Sequence, residues 1–353
     1  MILIYWYNLA RMVKVLLTHE SFSAVKAGQE VYSEHLKRVF PDLEVLNFQN
    51  SKQFSKLNWF SLLREPLRAQ AVQNHLMNEI HALEPEIIFV NGMFGWCLSN
   101  LKKSIPIIGI NHGTFAGLAD YSFQRNLNYF RTRYVYTWFE QKSFKNCSKI
   151  ISNSNFSNSN LKKYYNLNGR VLQNAIDTEL FKLQNKKQAR ISLKLPLNQK
   201  IVLFVGRADY SKGFDVVQKL MDLHKNVLFV CVTFPKIELK NSNALCFESV
   251  DQASLAKFYS AADLVLFPSR FEGFGYVPIE ALACNTPVVS FSTGIVQELN
   301  HPLLYKVQNF SISEFSKNLN YALDHLPEKD FSKPIQESFN LDRFCKEFKN
   351  LLN

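Results

Sequence analysis

Residues 261–299, AADLVLFPSRFEGFGYVPIEALACNTPVVSFSTGIVQEL, constrain the fold more tightly than any other stretch. Leu264–Phe267 is a short apolar run that reads as a buried strand, and Pro268 stops it. The loop Phe271–Gly275 follows, with two glycines that let backbone come close to a ligand. Pro278 suits the first turn of a helix running through Glu280–Cys284. After the turn Asn285-Thr286-Pro287 comes a second buried strand, Val288–Phe291. Strand, glycine loop, helix and strand make a βαβ unit, whose ligands bind beyond the carboxyl end of the strand.

Two carboxylates flank that loop: Glu272 inside it, and Glu280, which this spacing places in the first turn of the helix. A carboxylate accepts two hydrogen bonds side by side, so it matches a pair of neighbouring hydroxyls such as a ribose diol or a sugar ring edge. Backbone N–H groups around Gly273–Gly275, next to a helix N-terminus, suit phosphate. Taken singly, each Glu has a plainer role: Glu280 complements the helix dipole and Glu272 is a solvated loop charge. Together in this frame they describe a nucleotide-sugar pocket.

The polar, basic stretch 182–200 is the natural boundary between two domains, and 353 residues suffice for two α/β cores. Beyond it lies the apolar strand Ile201–Val205, then GRADYSKG, residues 206–213. Arg207 and Lys212, five residues apart on a glycine-bounded loop, have the reach for a diphosphate, the first as a fork and the second as a point charge. A solvent-facing loop explains them equally well in isolation. Val227–Val232 and Ala244–Cys246 read as strands, and Leu255–Ala262 as the helix leading into the central unit.

The first half is less regular. Val13–Leu17 and Val45–Phe48 read as strands around a helix Glu30–Phe40, with only Gly28 to ease the loop between. A helix is expected around Ala69–Leu83 and a strand at Ile87–Val90. Ile105–Ile110 is another buried strand, which puts His112 at its carboxyl end, where an α/β sheet presents its chemistry. A lone His is more often structural than functional. Glu140–Cys147 reads as helix, Lys149–Asn153 as strand and Val171–Ile176 as the last strand of this half. Residues 52–68 form a basic amphipathic stretch, read as an ordinary domain helix in preference to one lying in a membrane interface. Ser338–Leu352 carries apolar residues at helical spacing.

Charge is unevenly placed. The net balance is +11, and residues 101–170 hold eleven Lys and Arg against two Asp and Glu. Aromatics are interleaved there, from Tyr121 to Phe139, leaving two readings open: a surface for anionic lipid, phosphorylated acceptor or nucleic acid, or aromatics in a core beneath a solvated charged face. Six scattered cysteines without a C-x-x-C fit reduced thiols of a cytoplasmic protein, with neither a zinc site nor a disulfide framework. Met1–Leu9 is apolar but short, broken by Asn8 and Arg11, and lacks a small-residue cleavage site; Met12 opens MVKVLLTHE, itself a natural first strand. No apolar run approaches the ~20 residues that span a bilayer.

These motifs resemble those of family 4 glycosyltransferases, retaining enzymes of the GT-B architecture. The family's E-x7-E element is matched by Glu272 and Glu280 within FEGFGYVPIEALACNTPVV, its glycine-arginine…lysine-glycine element by GRADYSKG, and its domain-joining element by Asn174-Ala175-Ile176-Asp177…Phe181. The match is strongest over 171–299. Ala175 stands where glycine is usual, Asn285 where glycine is common, and Gly294 lacks a second glycine beside it. Asn285 is harmless because Asn tolerates a left-handed backbone.

The resemblance implies an α/β chain of two Rossmann-like domains with parallel sheets facing across a cleft. Residues 1–178 would form the acceptor side, 179–335 the nucleotide-sugar side, and 336–353 a C-terminal helix crossing back to the first domain. It implies that Arg207 and Lys212 bind the diphosphate, Glu272 the transferred sugar, Glu280 the ribose diol, and backbone at Gly273, Phe274 and Gly275 the sugar and phosphates. His112 would reach the transferred sugar, so His112, Glu272, Arg207 and Lys212 are the expected catalytic set. With protein cations on the leaving diphosphate, no metal or cofactor is expected. The expected function is hexose transfer from a nucleoside-diphosphate sugar, UDP-linked for instance, to a glycan or lipid-linked acceptor in cell-surface polysaccharide or lipopolysaccharide synthesis. The expected setting is cytoplasmic, peripheral on an anionic inner membrane face, without nucleic acid. Rival readings are a non-catalytic nucleotide-sugar-binding scaffold and an epimerase or phosphorylase of the same architecture.

Overall fold

Short runs of Val, Ile, Leu and Phe, apolar on both faces, build two six-stranded sheets, and every strand pair in them is parallel. Such strands need helices on both sides, which is why the elements alternate along the chain. The computed structural model describes residues 14–18, 28–47, 62–248 and 250–352. The apolar start, the loop beyond Thr18 and most of the amphipathic stretch 52–68 lie outside the described residues. Those described divide into two units: the chain up to Gln173 together with the residues from Cys345 on, and Asn174–Phe344.

The first unit contains β1 (Lys14–Thr18), β2 (Leu43–Asn47), β3 (Ile87–Asn91), β4 (Ile107–Asn111), β5 (Lys149–Ser152) and β6 (Arg170–Val171), in the order β2-β1-β3-β4-β5-β6. The strand expected over Val171–Ile176 ends at Val171. The Leu172 N–H still reaches Ser152 O at 2.9 Å, after which the chain leaves the sheet, and Ile176 N–H bonds Phe339 O in the second unit. The helix expected near Ala69 begins earlier, at Arg64, and runs to Leu83. Helices Phe115–Ser122 and Leu127–Phe130, and the π turn Arg131–Tyr136 that joins the latter to Thr137–Asn146, had no counterpart in the sequence reading. The final helix, Leu341–Leu352, carries Phe348, which is fully buried with its ring 5.8 Å from those of Phe40 and Phe89.

The second unit contains β7 (Ile201–Val205), β8 (Leu228–Thr233), β9 (Ala244–Glu248), β10 (Leu264–Phe267), β11 (Val288–Phe291) and β12 (Leu304–Val307), in the order β12-β11-β10-β7-β8-β9. Alternation within the strands divides the core. Val202, Phe204, Leu264, Leu266, Val289 and Phe291 face one helical layer. Ile201, Leu203, Val265 and Val288 face the other. The order reverses between β7 and β10, and a crevice at the carboxyl ends of two such strands is where an open α/β sheet binds its ligand. No helix among the described residues is long and apolar enough to cross a membrane.

Candidate active site

The loops after β7 and β10 meet at this switch point. Leu264, Val265 and Leu266 pair in register with Val202, Leu203 and Phe204, so both strands end at the same level. Gly213, with φ +70°, closes the first loop and caps the helix Phe214–Leu223. A Cβ there would lie 2.0 Å from the Pro268 carbonyl oxygen of the second loop. Only glycine lets the two loops touch, and Gly213→Ala is expected to cost about 2–4 kcal/mol, read as a lowered midpoint in urea. Gly294, with φ +55°, makes a similar approach: a Cβ would lie 2.3 Å from the Phe274 carbonyl oxygen. The second glycine that the family usually adds is not needed for that contact.

Lys212 Nζ donates to Glu272 Oε1 at 2.6 Å, joining the two loops across 60 residues of sequence. Ser269 Oγ donates to the same oxygen at 2.6 Å, and the Glu272 N–H reaches Thr293 Oγ1 at 3.2 Å. Asp209 shapes the first loop: its Oδ1 accepts from Ser211 Oγ at 2.6 Å and from the Lys212 N–H at 3.0 Å. Its Oδ2 holds Arg207 Nε at 3.1 Å, yet the Arg207 side chain remains 64% exposed. Thus Arg207, Lys212 and Glu272 stand at the switch point, Arg207 paired with Asp209 yet mostly exposed and Lys212 tied to Glu272.

Arg270 was missed from the sequence. Its guanidinium grips both Asp215 oxygens at 2.7 and 2.8 Å, donates to Tyr210 O at 2.6 Å and lies 3.6 Å over the Tyr210 ring. The Arg270 N–H also bonds Ser211 O at 2.9 Å. One residue therefore clamps the loop that carries Glu272 onto the loop that carries Lys212. A signal was present: a cation two residues before Glu272 and an acid two residues after Gly213.

Glu280 lies deeper than expected. The helix runs Tyr276–Ala283 from a Gly275 cap, so Glu280 is in its second turn and does not serve the helix dipole. It is 5% exposed, and its Oε2 accepts from the Tyr259 hydroxyl at 2.7 Å. Burial pushes its carboxyl up to about 7, against a smaller opposite pull from that hydrogen bond. The Phe274 side chain turns into the core beside Tyr276 and Phe339, and its carbonyl accepts the Ile295 N–H at 2.7 Å. Asn285 takes the left-handed backbone, φ 60°, and its amide ties Lys329 O and the Phe331 N–H.

In the first unit, Asn111 closes β4 and His112-Gly113-Thr114 follows it directly. Asn111 Oδ1 accepts the Gly113 N–H at 3.0 Å, and its Nδ2 donates to Ser152 Oγ and Ser157 O. Thr114 caps the helix Phe115–Ser122, whose first N–H goes to the buried carboxylate of Glu140. His112 Nε2 is 3.2 Å from Asn91 Oδ1, while Asn91 Nδ2 donates to Thr18 Oγ1 at 3.0 Å. Asn91 Oδ1 is an acceptor in this chain of bonds, so Nε2 carries the hydrogen and Nδ1 offers a lone pair. Burial pushes the imidazole down to about 3, which keeps it neutral near pH 7. Among the described residues no group of three or more His, Cys, Asp and Glu is gathered as a metal ion requires.

Comparison with known proteins covers both units. Residues 30–180 match the family model Glycosyltransferase Family 4, and residues 185–332 match Glycosyl transferases group 1. A D-inositol 3-phosphate glycosyltransferase from Catenulispora acidiphila is 34% identical over 145 residues, 35% of this chain and 35% of that protein. The chain spans roughly a third to a half of the length of the curated relatives it matches. Among solved structures, sucrose-phosphate synthase from Thermosynechococcus elongatus superposes with a TM-score of 0.78 at 18% identity, covering 97% of this chain and 98% of that one. Anabaena HepE in complex with UDP-glucose superposes with a TM-score of 0.71 at 17% identity, over 97% and 99% of the two chains. With one family model on each unit and this fold across both, the chain belongs to the family 4 glycosyltransferases of the GT-B fold.

Proposed function

We propose that the chain transfers a hexose-type sugar from a nucleoside-diphosphate sugar to a hydroxyl of a glycan or lipid-linked acceptor, with retention of anomeric configuration. Cell-surface polysaccharide or lipopolysaccharide synthesis is the setting that fits such an acceptor. The observation that carries this is the Lys212–Glu272 pair at the switch point, with Arg207 open beside it on the same loop. Without donor the ammonium and carboxylate satisfy each other. With donor, Lys212 and Arg207 take the diphosphate and Glu272 takes sugar hydroxyls. Glu280 holds the ribose diol, backbone at Gly273, Phe274 and Gly275 lines the sugar and phosphates, and His112, in the first unit, offers its Nδ1 lone pair to a sugar hydroxyl. The complex of HepE with UDP-glucose makes UDP-sugars the first donors to try.

The bond from the anomeric carbon to the diphosphate oxygen breaks through an oxocarbenium-like state. The acceptor oxygen bonds the same face, and its proton passes to the departing phosphate oxygen. Arg207 and Lys212 stabilise the negative charge as it grows on the leaving group. With those two cations in this role, turnover is expected to persist in a chelator.

The test is thermal unfolding against UDP-, GDP- and ADP-sugars. A donor at about 100 times its dissociation constant stabilises by about 2.7 kcal/mol, and one donor is expected to do so. No shift with any of them counts against the function. Glu280 adds a pH signature. A diol prefers the ionised carboxylate, so donor affinity is expected to rise about ten-fold between pH 6 and 8 as a group near 7 loses its proton. For the same reason, this carboxyl's contribution to stability is fully present below its ordinary value of 4.5 and lost as pH rises through about 7. Calorimetric titration of the nucleotide sugar into Glu280→Gln should give a flat profile. A flat profile in the unaltered protein removes Glu280 from the diol.

A further inference from the structure

We infer that the outer face of the helical segment 127–146, in the first unit, is a docking surface for an anionic lipid bilayer. Leu127, Phe130, Tyr134 and Trp138 are 67, 51, 58 and 54% exposed. They lie along one side of a continuous helical stretch, Leu127–Phe130, Arg131–Tyr136 and Thr137–Asn146, while Thr132, Tyr136, Glu140 and Phe144 are buried on the other. The π turn in the middle keeps the outer row in line: the Phe130 and Tyr134 rings stack at 6.1 Å with 15° between their planes. Trp138 continues the row, and Lys142 Nζ sits 5.2 Å from both the Trp138 and Trp96 rings. Trp96 Nε1 donates to Pro66 O, in the chain segment that also exposes Leu62 and Leu63.

Four large side chains in one exposed row are more than the scattered apolar residues of an ordinary surface. Charge selects the partner. Of the two acids in residues 101–170, Glu140 is buried and Asp120 is taken up by Arg133 at 3.0 Å and the Tyr129 hydroxyl at 3.2 Å, so the charge that this stretch adds to the face is that of the exposed Lys142 and Lys145. Glu65, at the start of the adjoining helix, is bracketed by Arg64 and Arg68. Trp and Tyr with an aliphatic neighbour, flanked by exposed lysines, match the boundary between acyl chains and anionic headgroups. Attachment is peripheral, lying on one leaflet. It does not rest on the donor chemistry.

The test is flotation of the full chain with phosphatidylcholine vesicles, with and without phosphatidylglycerol. Retention is expected only on the anionic vesicles, falling as salt is added, with a blue shift of tryptophan emission. Phe130→Ser/Trp138→Ser is expected to weaken retention by at least about ten-fold. Lys142→Glu/Lys145→Glu is expected to weaken it by about five-fold or more per lysine. These side chains are exposed, so unaltered thermal midpoints accompany both losses; should the apolar pair fail to fold, the lysine pair decides. Absence of retention, equal retention by a folded variant, or retention unchanged when the anionic lipid is left out overturns the proposal.

Discussion

Replacing Lys212 by Met is expected to lower kcat/KM for the donor about a hundred- to a thousand-fold, with most of the loss in kcat. A cation fixed beside a leaving group acts chiefly on charge that develops in the transition state, and donors of this kind are worth about that much. Lys212 is fixed: its ammonium is 2.6 Å from Glu272, and its own N–H is anchored on Asp209. Arg207 is 64% exposed and held by one contact, so Arg207→Ala is expected to lose less, about ten- to a hundred-fold, with more of it in KM. Steady-state kinetics on both variants decides the matter. A Lys212→Met enzyme within about three-fold of the original would remove that residue from the leaving-group side.

Arg270→Ala is expected to cost about 1–3 kcal/mol and, separately, to lower kcat about ten-fold while the chain still binds donor. The guanidinium is itself nearly buried, although Asp215 is partly exposed, which keeps the penalty below that of a fully buried pair. What it fixes is the relation between two loops, so the loss should appear as misalignment. Arg270→Lys reaches at most part of the fork and should recover only part of the stability. Because Asp215 has the same function from the other side, Asp215→Asn added to Arg270→Ala should cost almost nothing more. Additive losses would show that Arg270 and Asp215 act apart.

The sequence carried the second unit further than the first, for a physical reason. Parallel strands buried on both faces read as unbroken apolar runs, and Pro268, Gly213 and Gly275 punctuate them where the loops turn. Glu272, Lys212 and Arg207 therefore read as residues of the loops after these strands, where the structure also has them. That Lys212 bonds Glu272 was not legible, because it depends on β10 lying next to β7 while β8 and β9 are placed on the far side. Arg270 escaped notice for the same reason: its partner Asp215 becomes a neighbour only through sheet order. Glu280 was displaced by about half a turn because the helix starts at Gly275, ahead of the proline that seemed to mark it. In the first unit, Leu127–Tyr136 mixes Asn, Arg and aromatic residues at a spacing that a π turn distorts, so neither the helix nor its outward row showed in a 3.6-residue period. Tyr136 went inward and Phe130, Tyr134 and Trp138 outward, a split that composition has no means of making.

Phe348 sits in a core whose other aromatic members, Phe40 and Phe89, were synthesised near the opposite end of the chain. A ribosome adding about 5–20 residues per second needs on the order of ten to thirty seconds to make the intervening second unit. During that interval the nascent first unit exposes the apolar socket that Phe348 will fill. A chain interrupted before Phe348 thus carries an intact second unit and an unclosed first unit, a natural client for chaperones and proteases.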